Sequence, residues 1–301
     1  MYQILTVMLI LIALGVVLRL FRLFPEGTAA ILNRFVLYIS FPCLVFRSLQ
    51  PTPIEKSFWR IPPLAFTMIS LIFIASYFWG KSFLKLSADS SASFAMGAAF
   101  GNTAFLGYPF VMALLGEKAL PPAIFFDQMG NFLAVYSVGV VFCVYSKNHR
   151  FSFSSLWEIL KLPPFLAFLI ALLLNGVEIP SVLMETINRL AGTTVPVIMV
   201  AIGLSLSIKH VSHHWVPILY ASVIKLAALP LLFFLLTKII LFEPLSRQVI
   251  VLQSATPTLM SSIALASLYD LDTNLSSSII FVTTVISFAS LPLWSLLFSH
   301  F

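Results

Sequence analysis

From Ser90 to Gly116 the chain runs through 27 consecutive residues without an Asp, Glu, Lys or Arg. A helix on a soluble domain keeps a polar face toward water, whereas a hydrocarbon core of about 30 Å demands roughly 20 apolar residues per helical crossing. The run fits the second environment. Charged residues make up only 9% of the 301 positions and the mean hydropathy is +1.03, against about 25% charged residues in soluble domains. The sequence predicts an all-α polytopic membrane protein with room for about ten crossings and none for a separate soluble domain.

Turn and charge clusters divide the chain into ten apolar stretches, near 3–20, 28–46, 61–80, 91–114, 119–145, 162–176, 186–207, 216–238, 247–268 and 276–298. The first, MYQILTVMLILIALGVV, has neither a basic leader nor a small-residue cleavage site and reads as a retained span. The longest polar break, Ser146 to Lys161, leaves five stretches on each side. It marks a first repeat over 1–145, a central loop over 146–161 and a second repeat over 162–301. Odd connections hold nine Lys/Arg and even ones seven. The excess places the odd loops and the central loop in the cytoplasm, with both termini outside.

The second and seventh stretches share a pattern, LNRFVLYISFP from Leu32 and INRLAGTTVP from Ile187. An odd number of crossings per half makes equivalent helices run in opposite directions, so a duplicated half is an inverted repeat. The net charge of +6 is spread over loops, which suits lipid headgroups and orientation and not nucleic acid. Cys43 and Cys143 lie in apolar runs and suggest neither a disulfide framework nor a metal site. KHVSHH, Lys209 to His214, is a weak metal candidate in a short loop.

Inside the charge-free run lies FGNTAFLGYPF, Phe100 to Phe110. Pro109 lacks an amide hydrogen and crowds the carbonyl of Phe105, and Gly101 and Gly107 each weaken a helix by about 1 kcal/mol relative to Ala. The spacing predicts a break, with a second half-helix starting near Pro109. Unpaired backbone in lipid costs several kcal/mol per group, so a break belongs where it is buried in protein or lines a wet cavity. There a half-helix start directs free amides and a positive dipole end at an anion. A proline kink with glycines for close packing is the alternative on this stretch alone. The ninth stretch repeats the signature as QSATPTLMSSIALAS, Gln253 to Ser267. One interrupted stretch in each half is a pointer to a transporter site.

Asp127 and Lys225 are ionisable residues within apolar stretches, each costing about 2.5 to 3.5 kcal/mol at a helix centre on insertion scales. Either could carry a proton, pair with substrate or pair with the other, and Asn131 shares the helical face of Asp127. Arg34 and Arg189 are candidates for the two mouths of a pathway, with interfacial snorkelling as the alternative.

The chain resembles the auxin efflux carrier family over its whole length. The resemblance rests on FGNTAFLGYPFVMALLGEKALPPAIFFDQMGNFLAVYSVG in the fourth and fifth stretches and ATPTLMSSIALASLYDLDTNLSSSIIFVTTVISFASLPLW in the last two. It implies two inverted five-helix repeats, a scaffold and a transport domain, and broken fourth and ninth helices that cross. Carried onto this chain, the binding asparagine is Asn102 and the breaks fall at Pro109 and near Pro257. The implied substrate-binding set is Asn102, Thr103, Gly107 and Pro109 with Pro257, Thr258, Ser261 and Ser262. Ser261 and Ser262 stand where relatives often carry a second Asn or Pro, a departure that bears on substrate preference. The long central loop of the plant exporters is missing, which favours the compact prokaryotic type.

The expected function is secondary transport, as an efflux carrier, of small organic anions such as carboxylates across the prokaryotic plasma membrane. Alternating access of the elevator type is implied, with no cofactor and an undefined coupling ion, H+ or Na+. Expected partners are the anion and the bilayer, with a homodimer left open. A sodium-coupled carrier like the bile-acid symporters and a transport-inactive sensor of the same fold are the alternatives. Hydrolytic chemistry would need a second carboxylate beside Asp127, a serine with a base or a metal cluster, and no such spacing is present.

Overall fold

The computed structural model describes residues 2–146, 161–205 and 215–298. The central loop lies outside these residues except at its two ends, and KHVSHH lies outside them entirely. Apart from connections, the described chain is helical: α1 (Tyr2–Leu20), α2 (Thr28–Leu49), α3 (Lys56–Ser82), α4 (Ala88–Ala99), α5 (Thr103–Leu115), α6 (Glu117–Tyr145), α7 (Pro163–Leu173), α8 (Ser181–Ser205), α9 (Trp215–Ile239), α10 (Pro244–Ser254), α11 (Ser262–Leu268) and α12 (Thr273–Leu297). Among the described residues six helices, α2, α3, α6, α8, α9 and α12, are long and apolar enough to cross a membrane. The apolar segments Thr6–Leu20, Thr103–Leu115 and Pro163–Leu173 are shorter. The fourth and ninth apolar stretches of the sequence each yield two helices, separated by residues 100–102 and 255–261.

Two compact units emerge, and each takes residues from both halves of the sequence. One comprises Met1–Glu55 and Trp157–Ser207, the other Lys56–Leu156 and Ile208–Phe301. In the first, α1 packs on α8 at two glycines. A Cβ on Gly15 would run into the carbonyl oxygen of Val200, and one on Gly203 into that of Ile12. Only glycine lets these backbones touch. The ends of α2 and α7 are tied reciprocally: Gln50 Nε2 donates to the carbonyls of Leu174 (3.1 Å) and Val177 (2.6 Å), and Asn175 Nδ2 donates to those of Leu49 (2.7 Å) and Thr52 (2.9 Å). Carbonyls that a helix end leaves without partners are satisfied in this way.

In the second unit, Ser87 caps α4 by accepting the amide of Ser90 at 3.1 Å, as hydroxyl residues do at helix starts. Asp272 caps α12 through the amide of Leu275 (2.9 Å) and takes the Ser90 hydroxyl on its other oxygen (2.8 Å). One carboxylate thus joins the starts of α4 and α12. Phe73 of α3 stacks on Phe100 with ring centroids 5.0 Å apart, which holds the end of α4 against α3 where the helical path stops.

Several helices contain a π-turn, with hydrogen bonds five residues apart. Those at Val36–Ser40, Thr103–Gly107 and Ile224–Ala228 precede Pro42, Pro109 and Pro230. A proline clashes with the carbonyl four residues back, here Tyr38, Phe105 and Leu226, and each of these lies inside a π-turn, whose wider winding moves that carbonyl aside. Pro109 therefore does not break its helix. The interruption lies upstream, at Phe100 to Asn102, and the second half-helix starts at Thr103, six residues before the position expected from the sequence.

Candidate functional site

The two interruptions of the second unit lie side by side. Phe100 turns extended (φ −81°, ψ 128°), and Gly101 forms an isolated antiparallel bridge with Thr258. The amide of Asn102 donates to the carbonyl of Pro257 (2.7 Å) and that of Leu259 to the carbonyl of Phe100 (3.0 Å). This closeness requires a glycine, because a Cβ on Gly101 would lie 2.6 Å from Thr256 Oγ1.

Gly101's own backbone groups face α6. Asn131 Oδ1 accepts its amide (3.1 Å) and Asn131 Nδ2 donates to its carbonyl (2.9 Å). The carbonyl of Asn102 accepts the amides of Leu106 (3.2 Å) and Gly107 (2.9 Å) and so opens α5. On the other segment Thr258 donates its hydroxyl to the carbonyl of Gly97 (2.6 Å) and its amide to Thr283 Oγ1 (3.2 Å). Buried backbone groups need partners, and here the neighbouring chain and side chains supply them.

Asp127, on the same π-turn of α6 as Asn131, is buried. Its carboxylate accepts from Thr103 Oγ1, from Tyr108 OH (2.7 Å) and from Gln128 Nε2 (2.8 Å). Thr103 Oγ1 in turn accepts from Asn131 Nδ2 (3.0 Å). Asp127 and Asn131 together fasten the start of α5 to α6, and Thr103 and Thr258 are engaged by the protein itself.

What remains open is specific. Asn102 is 1% exposed, yet neither Oδ1 nor Nδ2 has a partner. Lys225, also on a π-turn and 1% exposed, donates from Nζ to the carbonyl of Ser254 at the end of α10 (2.6 Å) and not to Asp127. Nζ would lie 3.3 Å from a Cβ on Gly101. A Cβ on Gly107 would run into Gln253 Oε1, which is buried and without a partner. Ser262 Oγ at the start of α11 is likewise buried and unpartnered, while Ser261 stands half-buried at the position preceding that helix.

Of the residues singled out from the sequence, the second unit thus brings together Asn102, Thr103, Gly107, Pro109, Asp127, Asn131, Lys225, Pro257 and Thr258. Arg34 and Arg189 belong to the first unit and are exposed, Arg189 pairing with Glu185 at 2.9 Å. Sequence reasoning passed over Gln253, Thr256, Tyr108 and Thr283. A glutamine in a charge-free run, directly before the ninth-stretch hydroxyls, is a legible signal for the first. Neither Cys43 nor Cys143 is in a disulfide, and among the described residues no group of His, Cys, Asp and Glu is placed to hold a metal ion.

The sequence pattern of a family described as membrane transport protein matches residues 1–295. An uncharacterized transporter of Methanocaldococcus jannaschii is 31% identical over 296 residues, with 96% of each chain covered. A second uncharacterized transporter, from Methanothermobacter thermautotrophicus, is 31% identical over 290 residues, 95% of each chain. A putative malonate transporter of Rhizobium meliloti is 24% identical over 287 residues, 88% of this chain and 86% of the relative.

Proposed function

Because this chain belongs to the auxin efflux carrier family of membrane transport proteins, we propose that it is a secondary carrier of small organic anions, held at Asn102 between the paired interruptions. Ten crossings in two inverted five-helix repeats, both termini outside the prokaryotic plasma membrane and alternating access of the elevator type belong to this reading. The second unit is its transport body.

One observation carries the proposal. Around the interruption, backbone groups are matched to partners by Asn131, Pro257, Thr283 and Leu259, while the side-chain amide of Asn102 is buried with both of its polar atoms unmatched. Each such atom costs about 1 to 3 kcal/mol, a cost that a ligand's hydrogen bonds recover. Supporting charge comes from the Lys225 ammonium and from the positive end of α5, which begins directly after Asn102. A relative named as a malonate transporter supports carboxylates as the class. Export of a monovalent anion from a cell that is negative inside gains about 2.3 kcal/mol per 100 mV from the membrane potential, so efflux needs no coupling ion.

The test is flux of mono- and dicarboxylates into proteoliposomes with and without sodium, for the unmodified protein and Asn102→Ala. Loss of a hydrogen bond to a charged ligand, about 1.5 to 3 kcal/mol, lowers affinity roughly 10-fold to 150-fold. Unchanged affinity in a folded Asn102→Ala protein would overturn the assignment. Flux that appears only with sodium would favour the symporter reading, and saturable binding without flux would favour the sensor.

A further inference from the structure

An anion by itself does not match the polar atoms left open between the interruptions. A carboxylate only accepts hydrogen bonds. It suits Lys225, whose ammonium has three donors and uses one on Ser254, and it suits the Asn102 amide nitrogen. It does nothing for Asn102 Oδ1 or Gln253 Oε1, both buried and both without a donor. Asn102 offers an NH2 donor group and an oxygen acceptor whichever way its amide is turned. For Gln253, Nε2 points to the carbonyl of Ala123 at 3.5 Å, which leaves Oε1 on the side of Gly107. The Gly107 amide is bonded to the carbonyl of Asn102, so the residue that carries one orphan oxygen and the glycine that faces the other are joined across the first turn of α5.

Resting on the carrier reading above, we propose that this site selects organic anions that also carry an O–H donor close to the carboxylate, the hydroxy acids. The carboxylate meets Lys225 Nζ and Asn102 Nδ2, and the hydroxyl donates to Asn102 Oδ1 or Gln253 Oε1. A deoxy analogue of the same shape would leave those oxygens buried and bare, and a site with buried polar groups discriminates strongly against a ligand that leaves them unpaired.

The experiment compares matched pairs, lactate with propionate and malate with succinate, by ligand-induced thermal shift and by flux into proteoliposomes. The expected result is at least about 10-fold tighter binding of the hydroxylated member of each pair. Gln253→Met, which keeps the volume and removes the acceptor, and Asn102→Ala should each shrink that ratio, with unliganded melting temperatures recorded to confirm folding. The ratio in the unmodified protein decides on its own if a variant does not fold. Equal affinity within both pairs, with both members bound and moved, overturns this inference and leaves the carrier reading intact. Should a full carboxylate panel be neither bound nor moved, both fall.

Discussion

Asn131 holds Gly101 by both of its backbone groups, its Oδ1 accepting the amide at 3.1 Å and its Nδ2 donating to the carbonyl at 2.9 Å. A side-chain amide here does what a neighbouring strand does in a sheet, and it does so where α4 has stopped and α5 has not begun. Asn131→Ala leaves the buried Gly101 amide without a partner, at about 1 to 3 kcal/mol, and the Gly101 carbonyl with only the Thr103 hydroxyl at 3.5 Å. Its melting temperature should fall and its substrate affinity with it. Asn131→Asp keeps the acceptor for the Gly101 amide but sets an oxygen against the Gly101 carbonyl and buries a second carboxylate beside Asp127, so it should melt no higher than Asn131→Ala. Thermal melts of the three proteins in one detergent check the order, and an Asn131→Ala protein as stable as the parent would remove the clamp.

Pro109 and Gly107 should respond oppositely to alanine. Pro109 already lies in a continuous helical path, just beyond the π-turn that accommodates it. Pro109→Ala should therefore leave the interruption at residues 100–102 in place, with substrate affinity within about 3-fold of the parent, equivalent to less than 1 kcal/mol. A larger loss would show that the π-turn itself shapes the site.

Gly107→Ala drives a Cβ into Gln253 Oε1, and overpacking of this kind costs about 1 to 3 kcal/mol. Shortening the glutamine removes the clash, so Gly107→Ala with Gln253→Ala should melt closer to the parent than Gly107→Ala alone. Hydroxyl discrimination should be smaller in the double variant than in the parent, because the Gln253 acceptor is gone. Failure of the second change to restore any stability would place the problem elsewhere on α5.

Asp127 receives three side-chain donors and forms no ion pair with Lys225. An asparagine presents one oxygen and an NH2 group to the same donors, so Asp127→Asn should set a donor against Tyr108 or Gln128 and destabilise the protein by about 1 to 3 kcal/mol. Melting temperature together with the pH and ion dependence of flux separates the roles. A loss of stability with an unaltered profile marks a structural carboxylate, and an altered profile at parental stability marks a coupling group.

The proposed orientation is checked with impermeant thiol reagents on a background lacking Cys43 and Cys143. Glu178→Cys, between α7 and α8, should be labelled from outside intact cells, and Asp270→Cys, between α11 and α12, only after permeabilisation. The reverse pattern would invert the topology.

The membrane setting, the helical class and the neighbourhood of the site are legible in the residues alone, because these follow from local composition. A 27-residue run without charge has few other places to go, and Gly101, Asn102 and Pro257 in such runs announce irregular backbone. Which of those side chains are satisfied within the protein and which are left open follows only from packing in three dimensions. Pro109 reads as the break because a proline's clash is a local fact, yet the π-turn before it resolves the clash and the helix stops at Phe100 instead, where Asn131 and Pro257 replace the missing helical bonds. Thr103, Thr258 and Asp127 stand out in the sequence as Asn102 does, but in the structure their side chains have partners and that of Asn102 has none. Those partners come from residues up to 161 positions apart, as between Thr258 and Gly97. Whether a buried polar atom is satisfied depends on what lies within about 3 Å of it in space, and no local pattern encodes that distance.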